Sequence, residues 1–549
     1  MGKWFDRSPS PAEGSINWNN SIHESPSKSA FKESASSGDS VQELGAAELN
    51  QFGYKQEFKR EFGFFSAFSF AVSISGLMAT IGTTFTYPLS AGGAACIVWS
   101  WFMGGIGCLC IALSVAEMVS AYPTSGGLYY SCSKVFPQRW APVVCWVDGW
   151  INLLGQVAGV ASSDYGAAQM LLSAVSMGSD FTYQPTAEHT VGVMAAVLVF
   201  HGFLSSFPTK YIERMTSSYL VFHFGVLIAG AVALLVKSER HDASYVFGHV
   251  ESSNGWSPIG FSFFFGCLSV SWTMTDYSAT AGLAEEMKDP ARVAPTAISL
   301  AMVFTYVVGF LYNIVLAFCM GDPEVILEQE QPVAYMYYTA LGKGGGIFFT
   351  VAMFIIMNFV GATALQATSR TMWSQARDGM IPFVGRRWLY RVNKYTLTPL
   401  YSVWVSTALC IAINLIALGS STTITAIFNV CAIALDWSYV IPIFARRWFT
   451  DRFTPGPWNM GRFSFIVNWW AILWTFFISV IFFMPETLPV TPQSMNYAVV
   501  FFVGIIALAV FFWNIGGYKL YRGPEATAPD PEVAAQIDLL GQVKDEKRE

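Results

Sequence analysis

Charge is what this sequence has least of. Of 549 residues only 12% are Asp, Glu, Lys or Arg, and 16 of these precede Phe62 while 12 follow Tyr518. The 40 left for residues 62–518 are too few to solvate the surface of a soluble chain of that size. A net charge of −6 gives no basic footprint, so nucleic acid is excluded as a partner. Nine cysteines are scattered at 96, 108, 110, 132, 145, 267, 319, 410 and 431. They lie mostly inside apolar runs with no His or acidic partner at ligand spacing, so neither a metal site nor a disulfide scaffold is expected. There is no phosphate loop, no paired nucleophile and base and no cofactor motif, so the reading is neither an enzyme nor an ATP-driven pump. What is abundant is apolar: 53% hydrophobic residues, 16% aromatic, mean hydropathy +0.43. Most of the chain is expected in lipid.

Residues 1–61 are rich in Ser, Glu, Lys and Asn and hold no apolar run long enough to pack. They read as a disordered cytoplasmic tail and not as a signal peptide, because no h-region follows the first Met. The sequon Asn19-Asn20-Ser21 lies in that tail and is expected unmodified. From Phe62 to Tyr518 apolar runs recur. A helix needs about 20 apolar residues to cross a bilayer, which predicts about twelve spans. These are 64–87, 92–117, 140–171, 190–207, 214–236, 257–281, 296–319, 346–369, 398–418, 422–444, 464–484 and 495–516, with irregular turns expected in the third and sixth. Residues 519–549 read as a polar cytoplasmic tail, with a possible short amphipathic helix at 533–540. With the N-terminus inside, 21 Lys and Arg flank the inner ends against three in the outer loops. The positive-inside rule therefore puts both termini in the cytoplasm.

An unbroken helix satisfies its own backbone and offers a hydrophilic solute nothing, whereas an interrupted one frees N–H and C=O groups at membrane depth. Two segments look interrupted. One is Ser73-Ile74-Ser75-Gly76-Leu77 in the first span, followed by Thr80, Gly82, Thr83 and Thr84. The other is Ser269–Thr280 in the sixth, containing Trp272, Thr275, Asp276, Tyr277 and Ser278. Such small and polar residues also serve close helix packing. Position separates the two readings, since spans one and six open two consecutive five-helix sets, and matching breaks in two halves point to an inverted-repeat carrier. Ionisable residues inside apolar runs are the next clue. Asp164 and Asp276 are candidates for coupling to protons, or for a structural hydrogen bond to a Ser, Thr or freed backbone group. Asp148, Glu117 and Asp436 read as structural, and His201 and His223 as packing residues able to titrate. Trp272 and Tyr277 flank the sixth-span break, where aromatic faces suit an amine-bearing solute.

These motifs carry a family resemblance. Gly53-Tyr54-Lys55-Gln56-Glu57, Glu117 through Tyr122-Pro123 to Gly126-Gly127-Leu128-Tyr129, Glu285-Glu286-Met287-Lys288 to Pro295, Arg377-Asp378-Gly379 to Pro382, and Gly456-Pro457-Trp458 with Gly461 and Asn468 occur in order. In these the chain resembles the amino acid–polyamine–organocation superfamily, and within it the fungal amino acid/choline permeases that include γ-aminobutyrate permeases, over roughly residues 52–520. The resemblance implies an all-α integral membrane fold of twelve spans. Helices one to five and six to ten form inverted repeats, two more helices follow, and helices one and six are broken. It implies a substrate whose carboxylate or equivalent lies at Ser73–Leu77 and whose amine faces Trp272–Ser278. Pro123, Gly126 and Gly127 would fix a turn, and Arg370, Arg377 and Asp378 would make ion pairs that lock or gate the inner face. Many relatives show Tyr-Asp-Ala-Ser-Ala-His before the Glu-Glu pair, where this chain has Tyr277-Ser278-Ala279-Thr280-Ala281-Gly282, and its fifth span lacks the Lys that some members use. The expectation is a secondary permease, without cofactor or metal, that imports γ-aminobutyrate or a related amino acid with protons. Choline, a polyamine or another organocation is the alternative. The setting is a fungal plasma or vacuolar membrane. A substrate-sensing receptor would bring a larger tail.

Overall fold

The computed structural model describes residues 49–50, 52–381, 388–418, 421–491 and 495–524, without the side chains of 421–425. The N-terminal tail to residue 48 with its sequon, Pro382, and the C-terminal stretch with the amphipathic segment expected at 533–540 lie outside the described residues. Among the described residues secondary structure is helical, with one isolated bridge between Phe62 and Met287. Among the described residues eleven helices are long and apolar enough to cross a membrane. In order these are Phe64–Thr84, Thr86–Ala121, Ala141–Gly178, Ala187–Ser205, Thr209–Lys237, Pro290–Cys319, Pro332–Arg377, Leu400–Leu418, Ala426–Trp448, Gly461–Phe483 and Ala498–Leu520. The span expected at 257–281 is the twelfth, and it falls short as a continuous helix because it is interrupted after Ile259–Thr273. Numbered with that one as the sixth, the spans match the expected order.

Two expectations need correcting. The third span, expected to contain an irregular turn, is one unbroken helix over Ala141–Gly178. Its Gly149, Gly155 and Gly159 admit the neighbouring Met380, Leu435 and Cys431 side chains rather than bending the backbone. The eighth span begins at Pro332, before the expected 346, with Gly342 (φ 73) separating a leading helical piece from the crossing itself. The Gly342–Gly346 run interrupts the hydropathy and hid that piece.

Counterparts in a five-helix repeat pack directly on one another: second on seventh, third on eighth, and first on sixth. The eleventh lies on the second and tenth, and the twelfth on the third and tenth. The outward faces remain apolar, with Val221 of the fifth span 71% exposed and Ile466 of the eleventh 67% exposed. Apolar area costs about 25 cal/mol per Å² in water, so a belt of this kind belongs against lipid.

Connecting segments meet at two opposite ends. At the Arg- and Lys-rich end, Glu117 of the second span accepts from Arg446 Nη1 (2.6 Å), Ser464 Oγ (2.7 Å) and the Met460 N–H (2.9 Å). This ties the tenth and eleventh spans to the repeat core and matches the structural reading of Glu117. At the other end the segment before the sixth span crosses over. The Glu251 N–H donates to Gly92 O, the Leu488 N–H to Asn254 O, and Trp256 Nε1 to Pro485 O.

Candidate functional site

The first-span break is a single residue. Gly76 adopts a left-handed conformation (φ 47, ψ 39) between the half-helices Phe64–Ser75 and Leu77–Thr84, and no side chain caps the N-terminus of the second half. A Cβ there would meet Val360 Cγ2 of the eighth span at 2.2 Å, so only glycine fits on both counts. Thr80 Oγ1 donates to the Ser75 carbonyl (2.7 Å) that the kink frees. Ser73 and Ser75 are fully buried, and their hydroxyls have no partner. Ile74 and Leu77 pack into the core beside them.

The sixth-span break is longer. The helix Cys267–Thr273 stops at Met274, and Ala279–Gly282 resumes it. Asp276 between them has φ 55, a conformation that costs an L-residue roughly 1–2 kcal/mol. The N–H groups of Thr275, Asp276, Tyr277 and Ser278 find no backbone carbonyl. The side-chain oxygens of Thr273, Thr275 and Tyr277, and both carboxylate oxygens of Asp276, are buried and unpartnered. Ser278 Oγ meets Tyr439 Oη at 2.9 Å, and the Tyr277 and Tyr439 rings lie 5.0 Å apart. Trp272 donates from Nε1 to Ser162 Oγ of the third span (3.2 Å) and sets its ring 4.8 Å from Phe428 of the tenth.

The two breaks belong to one place in the fold. The half-helix Leu77–Thr84 packs on Cys267–Thr273, and Thr84 Oγ1 meets Ser269 Oγ at 2.8 Å. Asp436 of the tenth span lies nearby, since it and Asp276 both lie within electrostatic reach of Cys431 and Tyr439. Among the described residues no lysine or arginine pairs with either carboxylate. A small apolar crevice lies elsewhere, against Val72, Leu77, Met78, His223 and Phe304, and lacks the polar groups of the breaks.

Asp164 stands apart from this cluster. It faces His201 of the fourth span (Nδ1 to Oδ1 3.1 Å), and both side chains are wholly buried. His201 is the residue that sequence reasoning passed over, as a lone packing histidine. The Arg- and Lys-rich motifs also form one cluster. Arg377 Nη1 donates to both oxygens of Glu285 (3.0 and 3.2 Å), Arg370 Nε to Glu286 (2.9 Å), and Tyr54 and Tyr129 each give a phenol hydroxyl to Asp378 (2.9 Å). The segment before the first span is thereby fastened beneath the bundle. The Arg377 guanidinium lies 3.7 Å over the Tyr54 ring, and the Phe62 N–H donates to the Glu286 carbonyl. The turn at 122–127 also has the expected form, with Gly127 at φ 53 closing on Thr124 O.

Residues 62–507 match the family model described as amino acid permease. The chain belongs to the amino acid permease family. It is 52% identical over 530 residues to an uncharacterized amino-acid permease of Schizosaccharomyces pombe, covering 95% of each chain. It is 46% identical over 491 residues to amino-acid permease 2 of Neurospora crassa, covering 89% of this chain and 90% of that one. Likeness extends to amino-acid permease BAT1 of Arabidopsis thaliana at 31% identity, covering 88% of this chain and 97% of the other. The permease is thus a multi-pass membrane transporter of the amino acid–polyamine–organocation superfamily, and the paired breaks sit in its matched core.

Proposed function

We propose that this permease imports a small amine-bearing solute, γ-aminobutyrate or a related amino acid, by proton symport across a fungal plasma membrane. Both termini, 1–61 and 519–549, would lie in the cytoplasm. The observation that carries the reading is the cluster of buried, unpartnered polar groups at the two breaks. An unsatisfied buried polar group costs about 1–3 kcal/mol, so several together in one core mark a place built for a guest that satisfies them. The positive end of the half-helix beginning at Leu77, with Ser73 and Ser75, suits a carboxylate. Asp276, beside Trp272 and Tyr277, suits an ammonium group. With no ATP site in its sequence, the permease would draw on a gradient. The Asp276 and Asp436 carboxylates, lacking a basic partner among the described residues, favour a cation such as a polyamine or choline as the second reading.

Radiolabelled uptake in a permease-deficient yeast, competed with γ-aminobutyrate, choline and spermidine at about pH 5 and about pH 7.5, separates these readings. Competition by γ-aminobutyrate with faster uptake at the lower pH is the expected result. Competition by spermidine or choline alone would transfer the assignment to the organocation. Asp276→Asn and Trp272→Ala are each expected to lower uptake about tenfold or more, as losing a charged or desolvated hydrogen bond of ~1.5–3 kcal/mol does, at unchanged surface level. Wild-type rates would remove them from the site.

A further inference from the structure

We infer that Asp164 and His201 form a one-proton site, separate from the substrate cluster, that carries the coupling proton; the inference rests on the proton-symport reading above. The hydrogen-bond geometry counts the proton. Asn358 of the eighth span donates its amide Nδ2 to the Phe354 carbonyl (2.8 Å), which turns its Oδ1 toward His201 Nε2 at 3.2 Å. A carbonyl oxygen only accepts, so Nε2 must carry a hydrogen. The other ring nitrogen, Nδ1, lies against the Asp164 carboxyl at 3.1 Å from Oδ1 and 3.3 Å from Oδ2. That contact is attractive only with one more proton, held as N–H on the ring or as O–H on the acid. With the proton the pair is neutral overall. Without it, a ring lone pair faces a carboxylate in a dry interior and the pair carries −1, a repulsive arrangement with no other donor in place. The heavy-atom geometry therefore fits the proton-loaded form.

Among the described residues no lysine or arginine pairs with Asp164 or His201. From the ninth span the Cys410 thiol comes within electrostatic reach of Asp164, with its Sγ directed to Val157 O. From the fifth span His223 stacks on Phe359, beside Asn358, rather than on the pair. The eighth span brings Gly361, whose absent side chain makes the room, since a Cβ there would stand 2.2 Å from Asp164 Oδ1 and 2.8 Å from His201 Cε1.

Two short connections join this site to the substrate breaks. Gly361 follows Val360, the residue pressed into the first-span break at Gly76. Asp164 lies two residues beyond Ser162, the acceptor for Trp272 at the sixth-span break. Loss of the proton would push Asp164 and His201 apart against Gly361 and shift the span that seals Gly76. The proton enters from the outer solution onto Nδ1 or the carboxyl and leaves to the cytoplasmic solution, so each cycle moves one positive charge inward.

The test uses the full-length permease in proteoliposomes with an equimolar mixture of radiolabelled proteinogenic amino acids and γ-aminobutyrate. Asp164→Asn and His201→Gln are expected to keep solute exchange, which needs no net proton movement. Accumulation driven by an inward proton gradient should fall about tenfold or more, within the ~5–150-fold range of a coupling free energy. Undiminished gradient-driven accumulation in Asp164→Asn overturns the proton site while leaving proton symport standing. A wild type indifferent to the proton gradient overturns the symport reading and the site with it. Loss of exchange together with accumulation in both variants overturns the proposal in favour of a structural pair. Infrared pH-difference spectra of the purified protein give a readout independent of solute. A protonation-linked band, of a carboxylic acid or of a carboxylate with an imidazolium, that Asp164→Asn abolishes is expected, and a wild-type spectrum that this substitution leaves unchanged would overturn the assignment.

Discussion

Replacing Gly76 with alanine should remove uptake while leaving the protein in the membrane. The left-handed backbone there (φ 47, ψ 39) costs an L-residue roughly 1–2 kcal/mol. The new methyl would also stand 2.2 Å from Val360 Cγ2, an overpacking that adds about 1–3 kcal/mol. The first term acts through the backbone and the second through a neighbour, so they can be separated. Val360→Ala in the Gly76→Ala background removes the collision but not the left-handed φ, and should restore part of the thermal stability and little of the uptake. The chain has two ways to relieve the strain: straighten the kink or move the eighth span outward. The first would return the Ser75 carbonyl to an unbroken helix and erase the polar break. The second would pull Val360 and Gly361 away from both sites. Wild-type uptake by Gly76→Ala would show that transport does not need this bend.

Much of the fold was readable in the sequence because lipid imposes it. Twenty apolar residues between basic turns mean a crossing whatever the neighbours, and the small and polar residues at 73–84 and 269–280 marked the breaks. Side-chain partnership was harder to read. Asp164 and His201 are 37 residues apart and each looked solitary in an apolar run. The signal was depth. Asp164 lies 14 residues before the end of the third span at Gly178, and His201 lies 14 residues after the start of the fourth at Ala187. At 1.5 Å per residue each is about 21 Å along its helix from the loop joining them, so antiparallel packing places them at one level. Polar residues matched by depth across a short connection make a pair before any coordinates exist. No such rule locates Asn358, whose helix begins with a piece the hydropathy concealed. The unwinding at Thr275–Ser278 was legible as composition only. The left-handed Asp276 was not, because nothing local favours it over a helix and the surrounding bundle holds it there.

The other large effect belongs to the ion cluster beneath the bundle. Arg377→Ala should reduce the yield of folded protein sharply, because it leaves Glu285, fully buried, as an uncompensated charge at a cost of about 3–5 kcal/mol. Arg377→Lys should recover only part. An ammonium cannot match the paired contacts to Glu285 or lie flat over Tyr54. Asp378 responds in the opposite sense. Arg377 spends its closest contacts on Glu285 and reaches Asp378 only through Nε at 3.3 Å. Burial therefore dominates and pushes the Asp378 carboxyl up to about 6, against Arg377 and the hydroxyls of Tyr129 and Tyr54, which lower it. An unfolded Asp titrates near 3.9, so the folded state binds the proton more tightly. The stability it contributes is present below about pH 4 and is lost as pH rises through about 6, a change of about 3 kcal/mol. Asp378→Asn should flatten the pH dependence of the thermal midpoint between about pH 4 and pH 6 while keeping acceptors for both phenols. A variant as pH-sensitive as the wild type would assign that titration to another group. The two substitutions then distinguish a lock from a scaffold. If the cluster only holds the bundle together, Asp378→Asn should transport at wild-type rates. If the segment carrying Tyr54 must release for the solute to leave, easing its fastening should change the rate of exchange at constant protein level.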